Sequence, residues 1–177
     1  MDDLTMNALA LSEAERPVQA IPEDTIRLTQ DLLFFAYRDF TNAADVILEE
    51  LGLGRAHHRA LHFIGRHPGI TVSELLSILR ITKQSLARVV NELMERGHVA
   101  QTPGQGDRRQ RLLRLTEEGA ALEARLFRRQ QARLAEAFLA AGPSALEGFY
   151  KVTRGIMDES ARTWVDHGHA ATKPGTS

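Results

Sequence analysis

The stretch TVSELLSILRITKQSLARVVNELMERGHVAQTPGQGDRRQRLLRLT, residues 71–116, contains two short helical patterns, a three-residue turn between them and an arginine-rich hairpin. The first pattern begins with a T-x-x-E capping box at Thr71 and Glu74. The second begins at Thr82, a favoured N-cap residue, and ends at Gly97, which suits a left-handed C-cap. Because the turn is short, the two helices should cross at a steep angle that leaves the second helix exposed for insertion into a DNA groove.

The second helical pattern has an apolar stripe and a polar face on opposite sides. At about 100° per residue, the stripe consists of Leu86, Val89, Val90 and Leu93. The polar face carries Gln84, Arg88 and Asn91, with Lys83 and Ser85 at its flanks. Since the two acids Glu92 and Glu95 would repel phosphate, we expect the N-terminal half of the helix to face DNA and the acids to point away.

After Gly97 the sequence predicts a β-hairpin. Residues 98–102 and 110–115 have the pattern of short strands, and Pro103, Gly104 and Gly106 supply the turn between them. The tip presents three charged residues, Asp107, Arg108 and Arg109. An arginine held in an extended conformation can enter a narrow minor groove, and we assign Asp107 the role of holding it.

The charge distribution supports a phosphate-binding surface in this part of the chain. Between Arg80 and Arg114 there are eight basic and three acidic residues, a net charge of +5 in a chain whose formal net charge is −1. The rest of the chain therefore carries −6. A run of charge can be an ordinary solvated face, but next to a helix-turn-helix pattern the local excess favours directed contact with phosphates.

These motifs resemble the MarR family of winged helix-turn-helix transcriptional regulators. The resemblance covers residues 52–119, and the phrase LMERGHVAQTPGQGDRRQRLLRLTEEG is similar to the family's recognition-helix end, D-x-R wing and L-T-x-x-G exit. It implies that Arg109 reaches DNA, that Asp107 steadies it and that Gln84, Ser85 and Arg88 read bases. Two departures are Gln110, where a small residue is usual, and the doubled glycine at the wing tip.

The fold class predicted is mainly α with a small β-hairpin wing, in which long N- and C-terminal dimerisation helices flank the winged domain. Apolar residues recur at helical spacing from Thr25 to Leu51, from the Thr116 cap to Gly142-Pro143, and in a further single helix through Trp164. We expect an N-terminal arm at 1–23, a dimerisation helix at 24–52, the DNA-binding domain at 53–117, dimerisation helices at 118–166 and a flexible tail at 167–177.

One winged module is too small to bury so much flanking apolar surface. We therefore expect a two-fold homodimer whose recognition helices face successive major grooves of a near-palindromic operator. The alternative is that these helices fold back on their own domain.

Composition limits the other functions that need consideration. The chain has 177 residues and no cysteine, which excludes disulfides and thiolate zinc sites. No apolar run approaches the roughly 20 residues that span a bilayer, and the N-terminus lacks the pattern of a secretory signal, so we expect a cytoplasmic protein. No nucleophile with a base and no paired carboxylates are evident, and neither an enzyme nor a cofactor is expected.

A histidine cluster in GRAHHRALHFIGRHPG is the second unusual feature. His58 and His62 are four residues apart on one helical face, near His57 and His67, and such a pair can share a metal ion. No third ligand is fixed by the spacing, and no metal site is assigned. In the family that the chain resembles, this helix, the first long helix and the winged module enclose a cleft for small, often aromatic or phenolic acids. His58 or His62 is hypothesised to border it.

The function predicted from these features is sequence-specific DNA binding by a homodimeric repressor that a small-molecule effector releases from double-stranded DNA. Activation stays open, because it depends on the position of the operator. Two alternatives also stay open: a metal-responsive regulator that uses the histidine cluster, and a winged-helix module that contacts only proteins.

Overall fold

A computed structural model describes residues 21–104 and 110–170 of the chain. These residues fall into two compact units, 21–39 and 40–170. Helix α1 runs from Glu23 to Glu50. The wing tip residues Asp107, Arg108 and Arg109 lie outside the described residues, as do most of the predicted N-terminal arm and residues 171–177 of the predicted tail.

The second unit contains the remaining helices and one small sheet. After α1 come α2 (Arg55–Arg66), β1 (Ile70–Thr71), α3 (Val72–Leu79), α4 (Lys83–Glu95), β2 (Val99–Pro103), β3 (Arg111–Leu115), α5 (Glu117–Ala141), α6 (Pro143–Ile156) and α7 (Glu159–Ala170). This order confirms the predicted mainly α winged helix-turn-helix fold.

Local capping sets the limits of the helix-turn-helix as predicted. Thr71 Oγ1 accepts a hydrogen bond from Glu74 N at 3.2 Å, and the Glu74 carboxylate accepts from Thr71 N at 2.8 Å, which completes the capping box. Thr82 Oγ1 accepts from Ser85 N at 3.1 Å and caps α4. Between the helices, Arg80 adopts the left-handed conformation with φ 49°. Gly97 follows α4 with φ 74°, so the left-handed glycine predicted at the end of this helix is confirmed.

The sheet has three strands, one more than the hairpin predicted from the sequence. Strand β3 lies between β1 and β2 and is antiparallel to both. Val99 pairs with Leu115 and Pro103 with Arg111, whereas Ile70 pairs with Leu113. The short strand before α3 therefore anchors the base of the wing to the start of the helix-turn-helix.

One apolar core lies beneath the helix-turn-helix. Its fully buried large side chains come from six of the elements: Leu48, Leu61, Ile64, Leu75, Leu86, Leu93, Leu113 and Leu126. The stripe predicted on α4 is buried in full, because Val89 and Val90 are also only 3% exposed. Helix α4 is thus fixed through one face, and its other face is left to solvent.

The C-terminal segment differs from the sequence-based expectation. A single helix was expected from Pro143 through Trp164, but α6 ends at Ile156 and α7 begins at Glu159. Asp158 starts the new helix, because its Oδ1 accepts a hydrogen bond from Ala161 N at 2.8 Å. Residues 167–170, assigned to the tail from the sequence, are the last turn of α7.

Candidate nucleic-acid interface

The outer face of α4 is polar and open to solvent. Lys83, Gln84, Arg88 and Asn91 are exposed, whereas Leu86, Val89, Val90 and Leu93 on the opposite side are buried. In the major groove, side-chain amides can form two hydrogen bonds with adenine, and a guanidinium group can form two with guanine. The structure therefore exposes Lys83, Gln84, Arg88 and Asn91 to solvent, on the face of α4 that the helical periodicity predicted.

Ser85 is in a different position from the other residues of this group. Its side chain is half-buried, and its hydroxyl accepts a hydrogen bond from Thr82 Oγ1 at 2.9 Å. The Ser85 backbone N–H is also held by the Thr82 hydroxyl. Ser85 consequently stabilises the first turn of α4, and this local role was not evident from the face it occupies.

Glu92 is held by groups of the protein itself. Its Oε1 accepts from Arg96 at 2.7 Å, and its Oε2 lies 3.0 Å from His57 Nε2. Since Gly54 N donates to His57 Nδ1 at 3.0 Å, the proton of the imidazole lies on Nε2, which donates to Glu92. The hydrogen bond from His57 is the largest cause that lowers the pKa of Glu92.

This network ties the end of α4 to its neighbours. Arg96, besides contacting Glu92, donates from Nη1 to the Leu51 carbonyl at 2.5 Å. His57 belongs to α2, so one chain of hydrogen bonds joins α2, the recognition helix and the segment after α1. From the sequence, His57 was only a neighbour of the histidine pair, because the partner that defines its role, Glu92, lies 35 residues away along the chain.

The described part of the wing is an antiparallel ribbon. Gly104 N donates to the Gln110 carbonyl at 3.0 Å, where the two strands approach the tip. Arg111 and Arg114 are exposed on β3. The ribbon thus carries exposed cations on β3, and the tip residues themselves lie outside the described part of the chain.

The histidines of α2 differ in burial and in partners. His58 is half-buried, and its burial, with a smaller contribution from His62, lowers its pKa. His62 Nδ1 lies 3.5 Å from Glu123 Oε1 of α5. Among residues 21–104 and 110–170, no group of three or more histidine, aspartate or glutamate side chains is arranged to hold a metal ion.

A cleft of about 490 Å³ lies between α2, α3 and α7. His62 is one of its lining residues, but His58 is not, and α1 does not contribute to it. Its apolar wall includes Phe63, Ile78 and Trp164, and its polar groups include Arg66 and His67. The cleft therefore differs from the sequence-based expectation, which placed the first long helix in its wall.

A capped helix with an exposed polar face, the short turn before it and a charged antiparallel wing define a winged helix-turn-helix DNA-binding protein. The comparisons with known proteins agree with this class. The model of the MarR family matches residues 51–110. The HTH-type transcriptional regulator PetP of Rhodobacter capsulatus is 46% identical over 142 residues, which are 80% of this chain and 86% of PetP. The chain belongs to the MarR family of transcriptional regulators.

Solved structures of low identity share the fold. A MarR family protein from Bacillus stearothermophilus has a TM-score of 0.64 at 18% identity, over 77% of this chain and 95% of that one. The structure of NadR in complex with 4-hydroxyphenylacetate has a TM-score of 0.63 at 18% identity, over 77% of this chain and 93% of NadR.

Family membership confirms three predictions from the sequence: a DNA-binding protein, a role in transcription regulation and no enzymatic activity. A module that contacts only proteins is therefore not favoured. Within the described part of the chain, no helix has the length and apolar character needed to cross a membrane.

Proposed function

We propose that the protein is a homodimeric repressor that reads a near-palindromic operator with the N-terminal half of α4. The observation that carries the proposal is the exposure of Gln84 and Arg88, with Asn91 on the same face just beyond this half, on a helix whose opposite face is buried. Lys83 lies at the N-terminal end of the same face, where it can contact phosphate. The wing residues Arg108 and Arg109 would contact the adjacent minor groove or backbone, with Asp107 holding Arg109 extended.

The dimer is proposed from apolar surface that the chain does not cover. Helix α6 has no buried residue, and the exposed large apolar side chains on it are Phe149, Tyr150, Val152 and Ile156. In the separate N-terminal unit, Leu32 and Phe34 are 61% and 63% exposed. A second copy is the natural cover for such surface, and two-fold symmetry would set the recognition helices about 34 Å apart, one turn of DNA.

The proposed reading of bases is tested by replacing Arg88 with alanine. A duplex is first recovered by the full chain from a pool of random sequences (the selected duplex), and a scrambled duplex of the same composition serves for comparison. We expect Arg88→Ala to weaken binding of the selected duplex by about tenfold and to change the preferred base at one position of each half-site.

Arg128→Ala is the matched control, because it removes the same charge from an exposed position on α5. It should leave the preferred sequence unchanged. Arg109→Ala should weaken all duplexes to a similar extent, since a wing arginine that enters the minor groove reads mainly its width and charge. A uniform loss of affinity in the Arg88 and Arg109 variants would contradict this division of roles.

We further propose that a small aromatic acid binds in the cleft between α2, α3 and α7 and releases the operator. Phe63 and Trp164 offer aromatic contact to a ring, and Arg66 offers a cation to a carboxylate. The first probe is 4-hydroxyphenylacetate, the ligand bound by NadR. If the acid lowers operator affinity about 100-fold, the coupling free energy between acid binding and DNA binding is about 2.7 kcal/mol.

This proposal is tested by NMR. Titration with 4-hydroxyphenylacetate should shift the ring resonances of His62, which lines the cleft, more than those of His58, which does not. Release of the selected duplex should follow the same concentration dependence. Histidine resonances that do not move while the duplex is released would place the effector elsewhere.

A further inference from the structure

Helix α7 and the residue that caps it contact the DNA-binding domain at three points, one on the turn of the helix-turn-helix and two at the end of α2. At its beginning, Asp158 forms an ion pair with Arg80. In its middle, the Trp164 ring stands edge-on to His67, with the ring centroids 5.1 Å apart. Near its end, a Cβ atom on Gly168 would lie 3.3 Å from His67 Cε1, so the backbone approaches α2 closely. The helix therefore spans the DNA-binding domain from the turn to the end of α2.

The ion pair involves a residue whose backbone has an unfavourable conformation. Arg80 is the one non-glycine residue with positive φ among residues 21–104 and 110–170. An L-residue in the left-handed conformation has a small energetic penalty that surrounding contacts must offset. Arg80 is also three residues before Lys83, the first residue of α4. A shift of Arg80 would therefore move the N-terminal turn of the recognition helix.

Asp158 has two separate tasks, and they use different oxygens. Its Oδ1 accepts the hydrogen bond from Ala161 N that caps α7, and its Oδ2 contacts Arg80. The hydrogen bond from the Ala161 N–H, followed by that from Arg80, lowers the pKa of Asp158, so the carboxylate is ionised at neutral pH. One side chain thus fixes the start of α7 and attaches it to the turn.

We propose that Arg80 and Asp158 are positioning residues for DNA binding, because their ion pair holds the turn and the N-terminal end of α4 in the orientation that enters the groove. This inference rests on the proposed role of α4. The proposed contact joins two residues that are 78 positions apart in the sequence. Through it, the C-terminal helices would influence the orientation of α4.

Asp158→Asn separates the two tasks. Asparagine is as good an N-cap residue as aspartate, so α7 should keep its start, but the charge that pairs with Arg80 is lost. We expect the affinity for the selected duplex to fall by about fivefold, the range of an exposed ion pair that couples to binding. The change in net charge alone would raise the affinity instead, because removal of an acidic charge strengthens binding to phosphate.

Asp166→Asn is the matched control on the same helix. Asp166 pairs with Arg154 of α6 at 2.6 Å, so the variant loses an ion pair and the same charge without touching the turn. It should bind the selected duplex as tightly as the unmodified chain or slightly more tightly. In an Arg80→Gln background, Asp158→Asn should have no further weakening effect, since its partner is already gone.

Three outcomes would overturn the inference. The first is that Asp158→Asn binds the selected duplex as tightly as the unmodified chain does, and that the unmodified chain still prefers the selected to the scrambled duplex. The second is equal weakening by Asp158→Asn and Asp166→Asn, which would indicate a general loss of α7 packing. The third is an unmodified chain that does not discriminate the two duplexes at all, which would remove the proposed function itself. Thermal unfolding of each variant shows whether α7 stays folded.

Discussion

Replacement of Gly119 by alanine is expected to reduce the free energy of unfolding by about 3 kcal/mol. A Cβ atom at this position would lie 1.9 Å from the carbonyl oxygen of His98, which is a backbone atom that cannot rotate away. The same carbonyl accepts a hydrogen bond from Thr116 N at 3.1 Å, and Thr116 Oγ1 caps Gly119 N at 3.0 Å. The added methyl group therefore strains the junction between the end of α4, the wing and α5. Urea or thermal unfolding measures the effect.

Gly148→Ala provides the matched control. Gly148 lies inside α6, and a Cβ atom there would meet nothing within 4 Å. Because alanine is the better helix former, this variant should be as stable as the unmodified chain or more stable by up to about 1 kcal/mol. Equal stabilities of the two alanine variants would contradict the close packing at Gly119. This junction also explains the L-T-x-x-G motif after the wing, in which Thr116 caps α5 and Gly119 leaves room for the His98 carbonyl.

A double substitution on α6, Val152→Glu with Ile156→Glu, is expected to convert the protein to a monomer. These side chains are 57% and 66% exposed in the single chain, so glutamate should be tolerated there without loss of the fold. In the proposed dimer they would be covered, and burial of unpaired carboxylates is unfavourable. Loss of the second half-site contact should weaken binding of the selected duplex by about 100-fold or more. Light scattering and duplex titration measure the two effects.

The control for this prediction is Lys151→Glu. It changes the net charge by the same amount as the double substitution, and Lys151 lies on the same helix in an exposed ion pair with Glu147 at 2.7 Å. This variant should stay dimeric and bind the selected duplex more tightly than the double variant. A double variant that is dimeric at working concentration would contradict the assignment of α6 to the interface.

The sequence was sufficient for the helix-turn-helix because each boundary there has a local chemical cause. Thr71, Glu74 and Thr82 cap their helices through side chains within three residues, and glycine suits the exit at Gly97. Strand β1 could not be predicted in this way. It has two residues, too few for any periodicity, and it exists because Ile70 pairs with Leu113 on a distant strand.

The break between α6 and α7 left a weaker signal that was missed. Neither Met157 nor Asp158 is a helix breaker, and apolar spacing continues across them, so periodicity alone favoured one helix. Only the N-cap preference of aspartate, three residues before Ala161, indicates a new start. Its structural role also needs Arg80, whose distance along the chain hides the contact from any local pattern.

The candidate site was predictable to the extent that one helix face determines it. The helical periodicity of apolar residues predicted that Gln84, Arg88 and Asn91 lie on the outer face of α4, and all three are exposed in the structure. The hydrogen bond between Ser85 and Thr82 and the tie of Glu92 to His57 depend on side-chain conformation and on a second helix. Such contacts required coordinates.

The ratio of the affinities of the full chain for the selected and the scrambled duplex tests the central claim most directly. A dimer that reads bases with α4 should prefer the selected duplex by about 1,000-fold or more at physiological salt. Its affinity for both duplexes should also fall steeply as salt increases, because phosphate contacts release counterions. Equal affinities for the two duplexes would contradict the account.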